Sequence, residues 1–336
     1  MRLLYLLLDV LIFILVILDQ VAGSQGDSSP FYQNCLKTYR ETCPESSKND
    51  SSSNVVSLIF PSYEWPCEQE CRYKCMWEQE AIRRQHNYHR VQYFGKWPFV
   101  RFAGVQEPMS TLFSLAHLFF HGRALLFRRH LVAPASLPPA YRVAVYFEMI
   151  FGTIAWCFST VFHWRDNWVT ERLDYNGVTL LMTSALLLVI SRLTISLAPR
   201  RTHQVTTMAG ILIGAFLIHH FYYMNFIHFD YGYNVKMNIT IGIVQFLLWM
   251  VWVAQELNRK SAHESTRKVA WMALRQQIAI TCTALFEIND FPPLWDHLDA
   301  HSLWHGFSIP LARYEYIIRR TDAEALSNLK KQTHVL

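Results

Sequence analysis

Two histidines lie four residues apart in the apolar stretch LDAHSLWHGFSIP, residues 298–310. In a helix, His301 and His305 would lie one turn apart on the same face, as a helical metal-binding pair requires. Neutral imidazoles are frequent zinc ligands, and three of them leave one coordination position open for a reaction. The spacing therefore predicts a metal site if the fold brings a third ligand to the same place.

The composition indicates which elements must position these histidines. Hydrophobic residues make up 51% of the 336 residues and charged residues only 17%, below the roughly one quarter that is usual in soluble domains. A membrane-spanning helix needs about 20 mostly apolar residues. The segments that meet this condition are 109–127, 141–163, 175–194, 206–227, 235–256, 269–289 and 297–318. The sequence thus predicts an all-α membrane protein with a seven-transmembrane helix bundle.

The amino-terminal 23 residues are predicted to direct the chain into the secretory pathway. They combine one early arginine, a long apolar run and two small residues at the end. This pattern is typical of a signal peptide cleaved before Ser24, with a retained signal anchor as the alternative. The predicted domains are a signal peptide at 1–23, a luminal cysteine-containing domain at 24–107, a transmembrane domain at 108–320 and a cytosolic tail at 321–336.

The distribution of lysine and arginine tests the predicted orientation independently. With a luminal amino-terminal domain, seven spans place the carboxyl terminus in the cytosol. The predicted cytosolic segments then carry fourteen of these residues and the luminal loops only three, as the positive-inside rule requires. The cytosolic ones are Arg128, Arg129, Arg142, Arg192, Arg200, Arg201, Arg259, Lys260, Arg267, Lys268, Arg319, Arg320, Lys330 and Lys331, and the luminal ones are Arg165, Arg172 and Lys236.

This topology brings three short motifs to one level of the membrane. FSTVFHW ends the second span at its luminal end and places Ser159 one turn before His163. LDYNG places Asp174 at the luminal end of the third span, while His301 and His305 begin the seventh. Ionisable residues inside spans are candidates for function, because hydrocarbon disfavours them unless they are paired. We therefore predict a catalytic zinc site with the three histidines as ligands.

Asp174 and Ser159 are the predicted catalytic residues. Asp174 would hold or deprotonate the water at the open position, and Ser159 would donate a hydrogen bond to that water or to the developing oxyanion. Alternatively, the histidines only form hydrogen bonds between helices, and Ser159 only packs. A second pair with the same spacing, His117 and His121 in the first span, is interpreted as structural, because no acidic or histidine cluster is expected at its depth.

The motifs resemble those of a known superfamily. FSTVFH with LDY, and LDAHSLWH near the end of the chain, resemble the serine, histidine–aspartate and His-x-x-x-His motifs of the seven-span hydrolases that include alkaline ceramidases and adiponectin-type receptors. Five longer strings resemble one branch, the glycosylphosphatidylinositol (GPI)-specific phospholipase A2-like proteins. These are CEQECRYKCMW (67–77), FGKWPFVRF (94–102), FHWRDNWVTERLDY (162–175), FDYGYN (229–234) and FPPLWDHLDAHSLWH (291–305). The resemblance covers nearly the whole mature chain.

The resemblance implies a function in the remodelling of GPI anchors. This branch removes the unsaturated sn-2 fatty acid from GPI-anchored proteins in the secretory pathway, with the Golgi membrane as the implied location and the endoplasmic reticulum as the alternative. The superfamily's metal ligands fall on His163, His301 and His305, its acid on Asp174 and its serine on Ser159. GPI-anchored proteins would be the lipid substrates and Zn²⁺ the cofactor. A GPI anchor lies in the luminal leaflet, the level at which the topology places these residues.

The predicted luminal domain contains five cysteines, and these are Cys35, Cys43, Cys67, Cys71 and Cys75. Because the compartment is oxidising and the domain has little apolar core, at least two disulfides are expected. Five cysteines cannot all pair within the domain, and their spacing leaves the connectivity open. The C-x3-C-x3-C pattern also permits a metal knuckle. Asn49 in the sequence NDS is a predicted glycosylation acceptor.

Two other function classes remain open beside the hydrolase. A non-catalytic receptor or lipid-binding chaperone for GPI-anchored proteins would keep the metal for structure, but a structural zinc site is closed by a fourth protein ligand. A metal transporter would need ligands on both sides of the membrane, and no acidic or histidine cluster is expected in the cytosolic halves of the spans. The chain has no nucleotide-binding glycine loop and a net charge of only +5, and no nucleic-acid partner is expected.

Overall fold

The computed structural model describes residues 24–43, 64–259 and 263–333. The predicted signal peptide and the predicted glycosylation acceptor Asn49 lie outside these residues. Within them the chain is mostly helical and forms no β-strand. The all-α class predicted from the sequence is therefore confirmed for the described part of the chain.

Ten α-helices follow one another along the described residues. One of the breaks between them coincides with the proline-rich sequence APASLPP at residues 133–139, because proline lacks the backbone N–H that the helix interior requires. The helices are α1 (Pro30–Glu41), α2 (Cys67–Gln85), α3 (Pro108–Phe127), α4 (Arg129–Val132), α5 (Pro139–Trp164), α6 (Trp168–Leu197), α7 (Thr202–Tyr222), α8 (Tyr231–Asn258), α9 (Glu264–Asn289) and α10 (Ala300–Thr333).

Several of these helices are long and apolar enough to cross a membrane. They are α5, α6, α8 and the run Pro199–Ile227, which contains α7 and ends in a turn of π-helix. The helices α3, α9 and α10 coincide with the remaining predicted spans but are less apolar; α9, for example, carries Lys268, Arg275 and Glu287. The chain is thus a membrane protein with several apolar helices, and the count of seven spans stays a prediction.

The start of α10 lies three residues later than the predicted span, residues 297–318. A tight turn over residues 294–298 precedes the helix. Asp299 then caps the helix, because its Oδ1 accepts the Ser302 N–H at 2.8 Å. The cap fixes the first helical turn, which carries His301.

The end of α10 lies well beyond the predicted span, at Thr333. Four residues of the predicted cytosolic tail, Asp322, Ala323, Ala325 and Leu326, are buried. Ala323 and Leu326 pack in one apolar core with side chains of α5 and α6. The tail therefore continues the helix as far as Thr333, because its small and apolar residues recur at helical spacing and are covered by the bundle.

The chain divides into two compact units. The first consists of the described parts of Met1–Leu112, together with Val161–Thr170 and Phe286–Trp304. The second consists of Phe113–Thr160, Glu171–Leu285 and His305–Leu336, again as far as they are described. The division passes through α5 and α10, each of which is one continuous helix.

In the first unit, α1 and α2 pack against each other and are joined by two disulfides. Cys35 pairs with Cys75, and Cys43 pairs with Cys67. The remaining cysteine, Cys71, is a buried thiol whose Sγ lies 3.6 Å from that of Cys43. The expectation of at least two disulfides with one cysteine left over is therefore confirmed. A metal knuckle of Cys67, Cys71 and Cys75 does not fit this arrangement, because Cys67 and Cys75 are already bonded to Cys43 and Cys35.

In the second unit, buried ion pairs connect the helices. Arg192 in α6 pairs with Asp322 in α10 at 2.8 Å. Arg319 in α10 pairs with Glu148 in α5 at 2.9 Å and also with Glu315. Each carboxylate faces an arginine, and this pairing compensates the cost of burying the charges.

Candidate metal centre

Glu107 orients His163 at the end of α5. The Nδ1 atom of His163 lies 2.7 Å from Oε2 of Glu107, and both side chains are buried. The backbone supports this contact, because the Glu107 N–H donates to the His163 carbonyl at 3.0 Å. A carboxylate accepts the hydrogen bond, so Nδ1 carries the proton and Nε2 presents its lone pair.

Lys96 completes this arrangement from the opposite side of Glu107. Its Nζ lies 2.7 Å from Oε1 of Glu107 and 3.1 Å from Oδ2 of Asp166. Burial by itself would raise the pKa of Glu107, but the Lys96 ammonium and then His163 outweigh it and hold the pKa well below its ordinary range. Glu107 is therefore a carboxylate at neutral pH, and it can accept from both neighbours at once.

His301, in the first turn of α10, has a matching partner. Its Nδ1 lies 2.7 Å from Oε2 of Glu287 near the end of α9. Its Nε2 lies 3.4 Å from Nε2 of His163. With zinc–nitrogen bonds of about 2.0–2.1 Å, two tetrahedral ligands stand about 3.4 Å apart. The two nitrogens thus have the separation that a shared zinc ion requires.

His305 lies one turn further along α10 and is buried. Its Nδ1 is 3.1 Å from Oγ of Ser114, and that oxygen is 3.2 Å from Oγ of Ser159. If Nδ1 carries the proton, as in the other two histidines, it donates to Ser114. Ser114 then donates to Ser159, whose own hydroxyl proton can be donated elsewhere.

Together the three histidines form a group that can hold a metal ion. Each of His163, His301 and His305 offers one ring nitrogen, and these atoms all lie within 4.8 Å of one another. The histidines chosen from spacing and topology are thus close together in space. Among the described residues, the group includes no fourth histidine, cysteine or carboxylate. Three imidazoles are also the protein ligands of one class of catalytic zinc site.

The predicted catalytic residues occupy different environments. Ser159 is buried in α5 and bonded to Ser114. Asp174 is half-buried and lies nearly two turns into α6. The roles given to Ser159 and Asp174 stay predictions.

The pair His117 and His121 contacts protein groups on several sides. Nε2 of His117 lies 3.1 Å from the backbone carbonyl of His305, and its ring stacks on Trp156 at 3.7 Å between centroids. His121 lies 2.7 Å from the hydroxyl of Tyr316. These contacts agree with a structural role. The expectation that this pair lies at a different depth from any histidine cluster is wrong, because His117 contacts the turn of α10 that carries His305.

Sequence reasoning missed the residues that hold the Nδ1 atoms. Glu107 and Glu287 lie at the ends of predicted spans that the topology assigns to the luminal side. A search for acidic residues at that level, and not only for histidines and Asp174, would have found both. Ser114 carries no such signal, because serine is frequent in membrane helices for packing reasons. Only the packing of α3 against α10 identifies it.

The comparisons with known proteins identify the family. The Per1-like family matches residues 57–323. The human protein named GPI-specific phospholipase A2-like PGAP3 is 34% identical over 297 residues, which is 86% of each chain. The zebrafish (Danio rerio) protein of the same name is 33% identical and covers 92% of this chain and 94% of its own.

A fungal relative extends the similarity. The Schizosaccharomyces pombe protein named Protein PER1 homolog is 32% identical over 88% of this chain and 86% of its own. No solved structure matches the chain. The match to the family and the identity to its members extend over most of both sequences. The chain therefore belongs to the Per1-like family.

Proposed function

We propose that this chain is a zinc-dependent hydrolase that removes the unsaturated sn-2 acyl chain from GPI-anchored proteins, a phospholipase A2-like reaction. The names of the relatives supply the substrate class. The observation that carries the proposal is that the Nδ1 atom of each of the three histidines lies within 3.1 Å of a protein oxygen, and a proton on Nδ1 leaves Nε2 as the metal-binding atom. The acceptors are Glu107 for His163, Glu287 for His301 and Ser114 for His305.

The donor set fits zinc better than a hard cation. Imidazole nitrogens suit zinc, copper, iron and nickel, while magnesium and calcium prefer oxygen ligands. Zinc has no redox chemistry of its own and is the usual metal of hydrolytic three-histidine sites. When bound, it would supply Lewis-acid activation of the ester carbonyl and of the attacking water.

Two side chains of the protein are proposed to act on the reacting atoms. Asp174 would accept the proton of the attacking water. Ser159 would donate a hydrogen bond to the ester oxygen as it gains negative charge. If Nδ1 of His305 donates to Ser114 and Ser114 donates to Ser159, the hydroxyl proton of Ser159 is available for this hydrogen bond.

The proposal is tested by the lipid composition of GPI anchors. In cells that lack this protein, we expect GPI-anchored proteins to retain the unsaturated sn-2 chain, and re-expression should remove it. Mass spectrometry of the released anchors measures the fraction that retains this chain. Unchanged anchors in cells without the protein, accompanied by loss of GPI-anchored proteins from the surface, would favour a non-catalytic chaperone instead.

Glu107 offers a test of the metal centre that does not depend on turnover. Replacing it with glutamine should weaken zinc binding by about 10- to 100-fold, because the carboxylate that orients His163 is lost. The matched control is Glu68→Gln, since Glu68 forms only exposed ion pairs with Arg40 and Arg72. Competition with a chelator measures the zinc affinity of the purified proteins. Equal affinities for the two variants would contradict the assignment of Glu107.

The proposed orientation places the domain at 24–107 in the lumen and the tail at 321–336 in the cytosol, with seven spans at 108–320. The charge asymmetry of the loops supports it, and the Golgi membrane is the proposed location. Epitope tags after Ser24 and at Leu336 should become accessible to antibodies on opposite sides after selective permeabilisation. Accessibility on the same side would refute an odd number of spans between them.

A further inference from the structure

A basic cavity of about 480 Å³ lies in the second unit, where residues at the end of α3 face the middle of α10. Arg123 and Arg128 line it from one side, and Arg313 and Arg320 line it from the other. Arg313 and Arg320 are seven residues apart, so they lie on one face of α10. The metal centre described above contributes no side chain to this cavity.

The cavity carries an excess of positive charge. Glu324 is the single carboxylate among its lining residues, and it pairs with Arg320 at 3.0 Å. Within the described residues, Arg123, Arg128 and Arg313 have no carboxylate at ion-pair distance. Three guanidinium groups thus face one volume without a counter-charge. Guanidinium groups bind phosphate through two parallel hydrogen bonds, and clusters of arginine are the usual means of recognising it.

The remaining walls are apolar. Phe120, Leu131 and Ile317 line the same cavity, and Leu131 is exposed. Two neighbouring side chains at the end of α3, Leu126 and Phe127, are 71% and 79% exposed. A soluble phosphate compound makes no use of such surface, whereas the acyl chains of a lipid bury it. The combination of an anion site with adjacent exposed apolar side chains is therefore suited to an amphiphile.

We propose that this cavity binds the phosphate-bearing headgroup of an anionic phospholipid, with the acyl chains against the exposed apolar residues of α3. The proposal is independent of the hydrolase function. Arg313 and Arg320 follow His305 by eight and fifteen residues in α10, which corresponds to about 12 and 22 Å along the helix axis. The lipid bound here is thus a ligand distinct from the substrate at the histidines. Basic cavities between membrane helices are known to bind headgroups on the side that the charge asymmetry assigns to the cytosol.

Native mass spectrometry of the full-length protein tests the proposal. The probe is dioctanoyl phosphatidylinositol 4-phosphate, and the comparison ligands are dioctanoyl phosphatidylcholine, inositol 1,4-bisphosphate and inorganic phosphate. We expect the anionic lipid to bind at least about tenfold more tightly than each of the three, because only it combines a net negative charge with acyl chains. Binding should also weaken as salt rises from about 50 to about 500 mM.

Two double variants distinguish lipid binding in the cavity from lipid attraction by the overall positive charge of the protein surface. Arg123→Gln with Arg313→Gln should lower the affinity for the anionic lipid by at least about tenfold, since two charge-assisted contacts are lost. The matched control is Arg200→Gln with Arg201→Gln, which removes the same charge at exposed positions outside the cavity. The single variant Arg313→Lys keeps the charge and the fold but loses the guanidinium fork, and it should weaken binding by an intermediate factor.

Each contrary result would overturn the proposal. Equal binding of phosphatidylcholine would show that charge is not recognised. Equal binding of inositol 1,4-bisphosphate or inorganic phosphate would identify a free phosphate compound as the ligand. Equal effects of the two double variants would show that the protein attracts anionic lipid through its overall charge.

Discussion

Replacing His163, His301 or His305 with alanine is expected to abolish the removal of the sn-2 chain and to lower the zinc content of the purified protein. Each change removes one of three nitrogen ligands that lie within 4.8 Å of one another. Two ligands bind zinc far more weakly than three, and the loss of the metal removes the activation that the reaction requires. Anchor lipid analysis and elemental analysis of the same preparations measure the two effects.

The matched control for these variants is His219→Ala. His219 is exposed near the end of α7 and belongs to no group of metal-binding side chains in the described part of the chain. It should leave both remodelling and zinc content unchanged. Full remodelling by the His301→Ala/His305→Ala double variant at normal expression would end the hydrolase proposal. The histidines would then serve only as hydrogen-bonding groups between helices.

Asp174→Ala should abolish turnover while most of the zinc stays bound. This separation is expected because Asp174 is assigned to the attacking water and not to the metal. Ser159→Ala should lower the rate by about 100- to 1000-fold, the effect of losing one donor to a developing oxyanion. Single-turnover kinetics with a GPI-anchored substrate in detergent micelles measures the rate, and elemental analysis measures the metal.

Ser114→Ala provides the contrast for Ser159→Ala. Ser114 lies 3.1 Å from Nδ1 of His305 and is proposed to accept its proton, so the loss of Ser114 should weaken zinc binding by about 10- to 100-fold in addition to lowering the rate. Ser159 contacts Ser114 and is assigned to the reacting ester, so its loss should leave the zinc affinity nearly unchanged. A fall in zinc affinity for Asp174→Ala or Ser159→Ala as large as that for His305→Ala would move that residue from the proposed catalytic role to metal binding. Glu264→Gln, at an exposed position in the first turn of α9, is the control for removal of a carboxylate.

The sequence determined those features that depend on spacing within one helix. His301 and His305 fall one turn apart in any α-helix, and Ser159 and His163 do the same in α5. The long apolar runs predicted most helix ends within a few residues, because burying apolar side chains and satisfying backbone groups both favour a continuous helix. The exceptions are the start of α6 and the end of α10. The oxidising compartment and the number of cysteines predicted at least two disulfides. The connectivity of the disulfides could not be predicted, because the order of the cysteines along the chain does not determine which thiols lie close together.

The tertiary structure decided which groups stand opposite each other. Glu107 and Glu287 hold two imidazoles, and Ser114 holds the third, through contacts that join residues 56, 14 and 191 positions apart. Contacts of this kind depend on how far each helix is rotated about its axis and shifted along it relative to its neighbours. A hydrophobic pattern leaves the shift along the axis undetermined by at least one helical turn. The same reason explains the missed pairing of Arg319 with Glu148. A charged residue within an apolar helix indicates that it has a partner, because hydrocarbon disfavours an unpaired charge. Only the packing of the neighbouring helix determines which residue that partner is.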